Sequence, residues 1–219
     1  GLGPATQHDI DGRVHANGEP FLGELPQPQK IMPPNTCPAC EGPVEIEGAF
    51  LRCTDVQCTA RLGRSILYYC RALEMDGIGE KLVEQLIDEN LISSIADLYR
   101  LDERMLLSLE RMGQKSADKV LNEINNTRSM TFSKFLSALG LPGIGPELAT
   151  AISHHFQTSE RLFEWTGRTI LDNAEMGEIT SIEGVGEIVA LQLRDGILLR
   201  KDMILDLLSY LTLDMDVRV

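Results

Sequence analysis

The chain has 219 residues, with 20 Lys and Arg against 33 Asp and Glu, a formal net charge of −13 at pH 7. That length can bury a real core in one large or two small domains. The acidic balance argues against holding nucleic acid through a broad basic surface. No run of about 18 uncharged apolar residues exists to span a membrane. The start, Gly1-Leu2-Gly3-Pro4, has neither the basic segment nor the apolar run of a secretory signal. Arithmetic alone therefore points to a soluble intracellular protein with no membrane partner that avoids DNA, and the motifs test the last part.

Residues 1–36 are rich in Pro and Gly, including Pro20, Pro26, Pro28, Pro33 and Pro34, and read as a leading linker. Next come four cysteines in two close pairs, Cys37-Pro-Ala-Cys40 and Cys53-Thr-Asp-Val-Gln-Cys58, with 12 residues between the pairs. Each pair can wrap a tight turn that aims two thiolates at one point, so the two turns complete a tetrahedral sulfur site. Structural Zn²⁺ suits such a set, because the ion accepts four soft thiolates without redox cost. With all four positions filled, none stays open for catalytic water. Val44-Glu45-Ile46-Glu47 and Ala49-Phe50-Leu51-Arg52 flank Gly48 with alternating apolar residues, which predicts a hairpin between the turns. Cys70, in the helical run Ser65–Cys70, reads as a core thiol.

From residue 73 the chain reads almost wholly helical, punctuated by glycine. Aligning the glycines exposes an internal repeat. Its copies are Met75-Asp-Gly77-Ile78-Gly79-Glu-Lys81-Leu-Val83, Leu109-Glu-Arg111-Met112-Gly113-Gln114-Lys115-Ser116-Ala117, Leu141-Pro-Gly143-Ile144-Gly145-Pro-Glu147-Leu-Ala149, and Ile182-Glu183-Gly184-Val185-Gly186-Glu187-Ile-Val-Ala190. Each reads as helix, tight turn, helix. The middle residue (Ile78, Met112, Ile144, Val185) is placed to plug the space between the helices. The residue four beyond the last glycine (Val83, Ala117, Ala149, Ala190) is small in three copies, which allows close helix packing. The turn amides and the second helix N-terminus together make a site for an anion such as a DNA phosphate. Such a contact reads no base and needs no basic protein.

The candidate DNA contacts are therefore Gly77, Ile78, Gly79 and Lys81 in the first copy, and Arg111, Gly113, Gln114, Lys115, Ser116 and Lys119 in the second. Gly143, Gly145, Gly184 and Gly186 complete the set from the third and fourth copies. Arg128 is a further basic candidate. Residues 100–134 hold seven basic and five acidic residues, a local +2 in an acidic chain. The fourth copy, flanked by Glu183 and Glu187, reads as repelling phosphate and as a structural copy, although its glycines keep the turn pattern. No catalytic residue is expected. His154 and His155 are adjacent and face different sides of a helix, while His8 and His15 fall in the leading segment. Met203–Leu211 reads as an amphipathic helix that closes the bundle or leads onward.

In motif, order and spacing, residues 33–210 resemble the C-terminal part of the NAD⁺-dependent bacterial DNA ligases. Those enzymes carry a four-cysteine zinc finger followed by a domain of four helix-hairpin-helix motifs. Cys37-Pro-Ala-Cys40, Leu51-Arg52-Cys53-Thr54, Ala96-Asp97-Leu98-Tyr99-Arg100-Leu101 and Leu109–Ala117 carry the likeness most directly. The resemblance implies a mostly α protein with the following order: 1–36, a linker or the end of an OB-fold; 37–62, the zinc finger; 63–200, the four hairpins; 201–219, a C-terminal helix and tail. It also implies sequence-independent binding of nicked duplex DNA, in replication and repair, beside adenylation and OB domains that lie outside this chain. The family's nucleophile is the Lys of a Lys-x-Asp-Gly motif that attacks NAD⁺. The Asp-Gly pairs here, at 11–12, 76–77 and 195–196, lack that Lys, so no adenylation is expected of this chain.

Two other readings stand beside this one. Leu141–Gly145 also resembles the hairpin of base-excision glycosylases, but it carries no Lys, and the nearest plausible acid is Asp172. Alternatively, the hairpins dock proteins rather than DNA.

Overall fold

The computed structural model describes residues 34–47, 50–55, 58–171 and 176–216. The expected linker, with His8 and His15, therefore lies almost wholly outside the described residues, as does Asp172.

The first described unit is a small ribbon. Its opening turn is closed by the Glu41 amide donating to the Cys37 carbonyl and by the Cys37 amide donating to the Gly42 carbonyl, at 2.8 and 2.9 Å. Strands β1 (Val44–Glu47) and β2 (Phe50–Cys53) then pair antiparallel, with Val44 opposite Cys53 and Ile46 opposite Leu51. This is the hairpin the alternation predicts. Its apolar face is not core, however, because Ile46 is 77% and Leu51 38% exposed. The ribbon has too little mass to bury that face, so its order has to come from the sulfur cluster at its base.

The fourth cysteine starts the helical part. Cys58 is the N-cap of α1 (Thr59–Ala72), so the last cysteine of the ribbon is also the first residue of the helical part. The chain continues through α2 (Glu80–Asp88), a 3₁₀ turn at Ala96–Arg100, α3 (Glu103–Leu107) and α4 (Gln114–Asn126). Strand β3 (Ser129–Thr131) follows, then α5 (Phe132–Ala138), α6 (Pro146–Phe156), α7 (Ser159–Leu171), α8 (Met176–Thr180), α9 (Glu187–Leu199) and α10 (Lys201–Leu208). Strand β4 (Thr212–Asp214) is the last described element. Local chemistry sets several boundaries. Asp102 caps α3 by accepting from the Met105 amide at 2.8 Å, and proline stands in the first turn of α6, where its missing N–H costs nothing.

The four hairpins are α1–α2, α3–α4, α5–α6 and α8–α9. Their plugs Ile78, Ile144 and Val185 are buried and Met112 half-buried, while Val83, Ala117, Ala149 and Ala190 are fully buried. The hairpins associate in two pairs, each reciprocal. In the first pair, Gly77 packs beside Lys119 of α4, while Gln85 of α2 donates to the Glu110 carbonyl in the second turn. In the second pair, Gly143 lies against Gln192 and Val189 of α9, while Gly184 lies against Leu148 of α6. One continuous core runs beneath both pairs and includes Tyr69, Leu98, Phe132, Phe135 and Trp165.

The C-terminal stretch closes this bundle. Arg100 binds both carboxylate oxygens of Asp206 at 2.6 and 2.7 Å, and Tyr210 stacks on Tyr99 with ring centroids 6.4 Å apart. The expected helix over 203–211 ends earlier, at Leu208, because β4 follows and pairs parallel with β3, Ser129 opposite Thr212. These two short strands are the non-helical exceptions in a stretch read as almost wholly helical after residue 73. They sit where the second pair of hairpins begins, and Asp216 accepts from the Ser133 amide at 2.9 Å.

Candidate nucleic-acid interface and metal centre

The four ribbon cysteines converge, with all their sulfurs within 4.8 Å of one another. Cys37 and Cys58 Sγ are 3.9 Å apart, and Cys40 and Cys53 Sγ 3.5 Å. A tetrahedral ion with sulfur bonds of about 2.3 Å places its ligands about 3.8 Å apart, so the cluster already has a metal site's dimensions. The same distances are well beyond a disulfide bond, and all four cysteines are free. The backbone amides of Ala39 and Cys40 bring the Cys37 thiol down to about 7. At Cys40 the Gly42 amide acts in the same direction, but desolvation and the neighbouring sulfurs prevail and push it up to about 12. Sulfurs that oppose each other's ionisation require a cation to hold them together as thiolates. These residues fit a metal with four thiolate ligands. Cys70, by contrast, is buried in the core, as expected, and burial pushes its thiol up to about 12.

In the hairpins, the two conserved-register turn positions do different work. The first takes left-handed backbone: φ is +84° at Gly77, +63° at Arg111, +74° at Gly143 and +83° at Gly184. The second position is the N-cap of the following helix, at Gly79, Gly113, Gly145 and Gly186, with φ between −84° and −101°. That is extended backbone open to any residue, and a Cβ built at any of the four meets nothing within 4 Å. Nothing inside the protein demands glycine there. Its absence of side chain leaves the helix N-terminal amides bare toward the outside, as close approach of an anion requires.

The first pair of hairpins gathers many of the expected residues. Gly77, Lys81, Arg111, Ser116 and Lys119 line a cleft of about 530 Å³ between the two turns, together with Glu110 and Met112. Lys81 and Lys115 are exposed and make no ion pair among the described residues. Arg111 is 89% exposed, with its Nε 3.3 Å from Glu110. Lys119 pairs with Asp76 across the two hairpins, so its charge is partly spent holding them together. Gln114 donates to both Glu103 and Asp118 at 2.9 Å, which fixes the start of α4. The Ile78 side chain is buried, so what it offers a ligand is its backbone. Arg128 is occupied internally: it lies over the Tyr99 ring at 5.3 Å and donates to the Tyr99 carbonyl at 2.9 Å.

Gly143, Gly145, Gly184 and Gly186 stand apart from that cleft, on the second pair. A signal missed in the sequence separates the pairs. Two residues beyond each N-cap glycine stand Lys81, Lys115, Glu147 and Ile188 in turn. The first pair thus presents cations beside its bare amides. The second presents Glu147, Glu183, Glu187 and an Ile188 that is 73% exposed. Among the described residues the histidines belong to no metal-binding cluster: His155 lies 3.6 Å from Glu178 and its ring packs on Phe156. Among the described residues, no helix is long and apolar enough to cross a membrane.

The reciprocal pairing defines the class, and comparison with known families agrees. Residues 71–126 and 135–197 match the SAM-like helix-hairpin-helix tandem, and the chain belongs to that family. The two matched stretches are the two reciprocal pairs. Among individual proteins, the chain is similar to DNA ligases. It is 39% identical over 160 residues to the DNA ligase of Coprothermobacter proteolyticus, covering 72% of this chain and 23% of that protein. The DNA ligase of Methylacidiphilum infernorum is 37% identical over 153 residues (69% and 22%), and that of Koribacter versatilis 36% over 178 (80% and 25%). The resemblance drawn from the cysteines and hairpins is borne out. The chain spans about a quarter of the length of the curated relatives it matches.

Proposed function

We propose that the chain is the duplex-holding portion of an NAD⁺-dependent DNA ligase, gripping nicked DNA independently of sequence during replication and repair in the bacterial cytoplasm, at the nucleoid. The observation that carries this reading is the set of four N-cap glycines with no internal need to be glycine, two of them flanked by the exposed Lys81 and Lys115. Backbone amides and helix N-termini take phosphates without a basic protein, which reconciles the site with a net charge of −13. The first pair of hairpins is the main grip. Gly143, Gly145, Gly184 and Gly186 serve a weaker contact, since carboxylates flank them. Zn²⁺ is the metal proposed for Cys37, Cys40, Cys53 and Cys58. It would fix the ribbon against α1 and take no part in the reaction. NAD⁺ chemistry belongs to adenylation and OB domains that act beside this chain.

The test is equilibrium binding to nicked and continuous duplexes of unrelated sequence. Binding should be indifferent to sequence and fall steeply with salt, as phosphate contacts release counterions. A Kd that changes more than tenfold between sequences, or no binding at low salt, would refute it. Appearance of a lysine–AMP adduct on the isolated chain with NAD⁺ would overturn the assignment of adenylation elsewhere.

A further inference from the structure

We infer that the groove between the cysteine ribbon and the helical bundle is a second seat for the DNA sugar–phosphate backbone, held by Arg61, Arg64 and Arg200. The inference rests on the DNA-binding reading above. The groove encloses about 890 Å³ and is walled by the ribbon, the outer face of α1 and the Leu139–Leu141 loop. Arg52 lines it too, and among the described residues that line it there is no Asp or Glu. In a chain where acids outnumber bases 33 to 20, Arg61, Arg64 and Arg200 facing one space with no Asp or Glu among its described lining go against composition.

Among the described residues, the guanidinium groups of Arg61, Arg64 and Arg200 are not neutralised by a carboxylate, and two of them are oriented by the backbone. Arg61 donates to the Asp55 carbonyl at 3.1 Å and Arg200 to the Leu139 carbonyl at 2.7 Å, the latter at the C-terminal end of α5. Backbone oxygens hold a guanidinium in place without cancelling its charge. Arg64 is exposed and makes no ion pair among the described residues. Burial first, and the nearby Arg61 charge second, hold the Arg200 guanidinium below its usual range. This repulsion is present in the free protein and is relieved when an anion enters. The groove floor is preformed as well. Tyr68 packs over Gly140, where φ is +59° and a Cβ would stand 2.9 Å from the ring, so no side chain fits without displacing it.

The geometry favours a polyanion of regular spacing over a single carboxylate. Several guanidinium forks lie along one groove, and each matches a phosphate. Arg64 precedes the end of α1 by eight residues, about 12 Å along the helix axis, and the first hairpin turn follows directly. Groove and hairpin turn are thus close enough for one helical turn of duplex, about 34 Å, to reach both.

The experiment measures binding of the 219-residue chain to a fluorescent nicked duplex across a series of KCl concentrations. It compares wild type, Arg64→Gln, the double variant Arg61→Gln/Arg64→Gln and the hairpin control Lys115→Ala. Each phosphate contact contributes about 0.9 to the slope of log K against log salt, so the double variant should flatten it by nearly 2 and weaken binding at least about tenfold near 0.15 M salt. Unfolding temperature and metal content should not change. If the double variant keeps the wild-type slope while Lys115→Ala weakens binding, the groove proposal is overturned and the hairpin reading stands. If wild type binds no duplex even at low salt, the hairpin reading itself has failed. Arginine-dependent capture of polyglutamate in place of DNA would also overturn it, in favour of a protein surface.

Discussion

Replacing the N-cap glycines by serine should raise stability while lowering DNA affinity. At Gly79 and Gly113 the backbone is extended, with φ −101° and −97°, and a Cβ meets nothing within 4 Å. A serine hydroxyl there can accept from an amide of the first helical turn, worth a few tenths of a kcal/mol over glycine. Removing a glycine's unfolded freedom adds about 0.4–1 kcal/mol per site. The double variant Gly79→Ser/Gly113→Ser should thus gain about 1–2 kcal/mol, and Tm should rise by roughly 2–8 °C for a chain of this size. The same hydroxyls occupy amides that would otherwise hold phosphate, and their Cβ atoms stand between backbone and duplex. Hydrogen bonds to a charged group are worth about 1.5–3 kcal/mol, so affinity should drop about tenfold or more for each turn. The contrast is Gly77→Ala, where φ is +84° and an L-residue costs about 1–2 kcal/mol although its Cβ would meet the Lys119 side chain only at ordinary contact distance. Calorimetry and anisotropy on the same preparations decide the matter. Serine variants that lose stability, or that bind duplex as wild type does, would refute the reasoning.

Two further outcomes follow from the structure. Elemental analysis should find about one zinc per chain, and Cys40→Ser or chelation should expose the amides of β1 and β2 to hydrogen exchange while the bundle stays protected; protected ribbon amides after complete metal removal would contradict this. At Asp97 burial works to raise the carboxyl pKa, but the Ser93 amide and hydroxyl, Ser94 and Arg100 outweigh it and hold the group below its ordinary value. A depressed folded pKa means stability that is present above the unfolded value of about 3.9 and lost as pH falls through the folded one. Asp97→Asn should therefore cost about 1–3 kcal/mol at pH 7 by urea unfolding, with the gap closing below about pH 4. An equal gap at pH 7 and pH 2.5 would sink the assignment.

Much of this molecule is legible in a single sequence. The cysteine spacing specified a cluster of sulfurs because each ligand pair is a local turn. The repeat specified four hairpins because plug, turn and small packing residue recur in register. Even the first-position glycines can be read, since left-handed backbone is a local demand. What local pattern could not supply was pairing. Nothing in the glycine strings says that the first turn rests on the second hairpin and the third on the fourth. Nor could it show that Lys119 is drawn to Asp76 and Arg128 to the Tyr99 ring.

Three-residue strands such as β3 and β4 are too short to carry a period, and their residues pair across more than eighty positions. The arginine groove is of the same kind: Arg61, Arg64 and Arg200 come from two ends of the chain, and only folding sets them around one space. The sequence by itself determined the chain's elements, its metal ligands and its family likeness, because those depend on neighbours along the chain. The tertiary structure alone decided which charges remain free to meet a ligand. An ion pair is made or left open by residues distant in sequence, and burial sets what each charge costs.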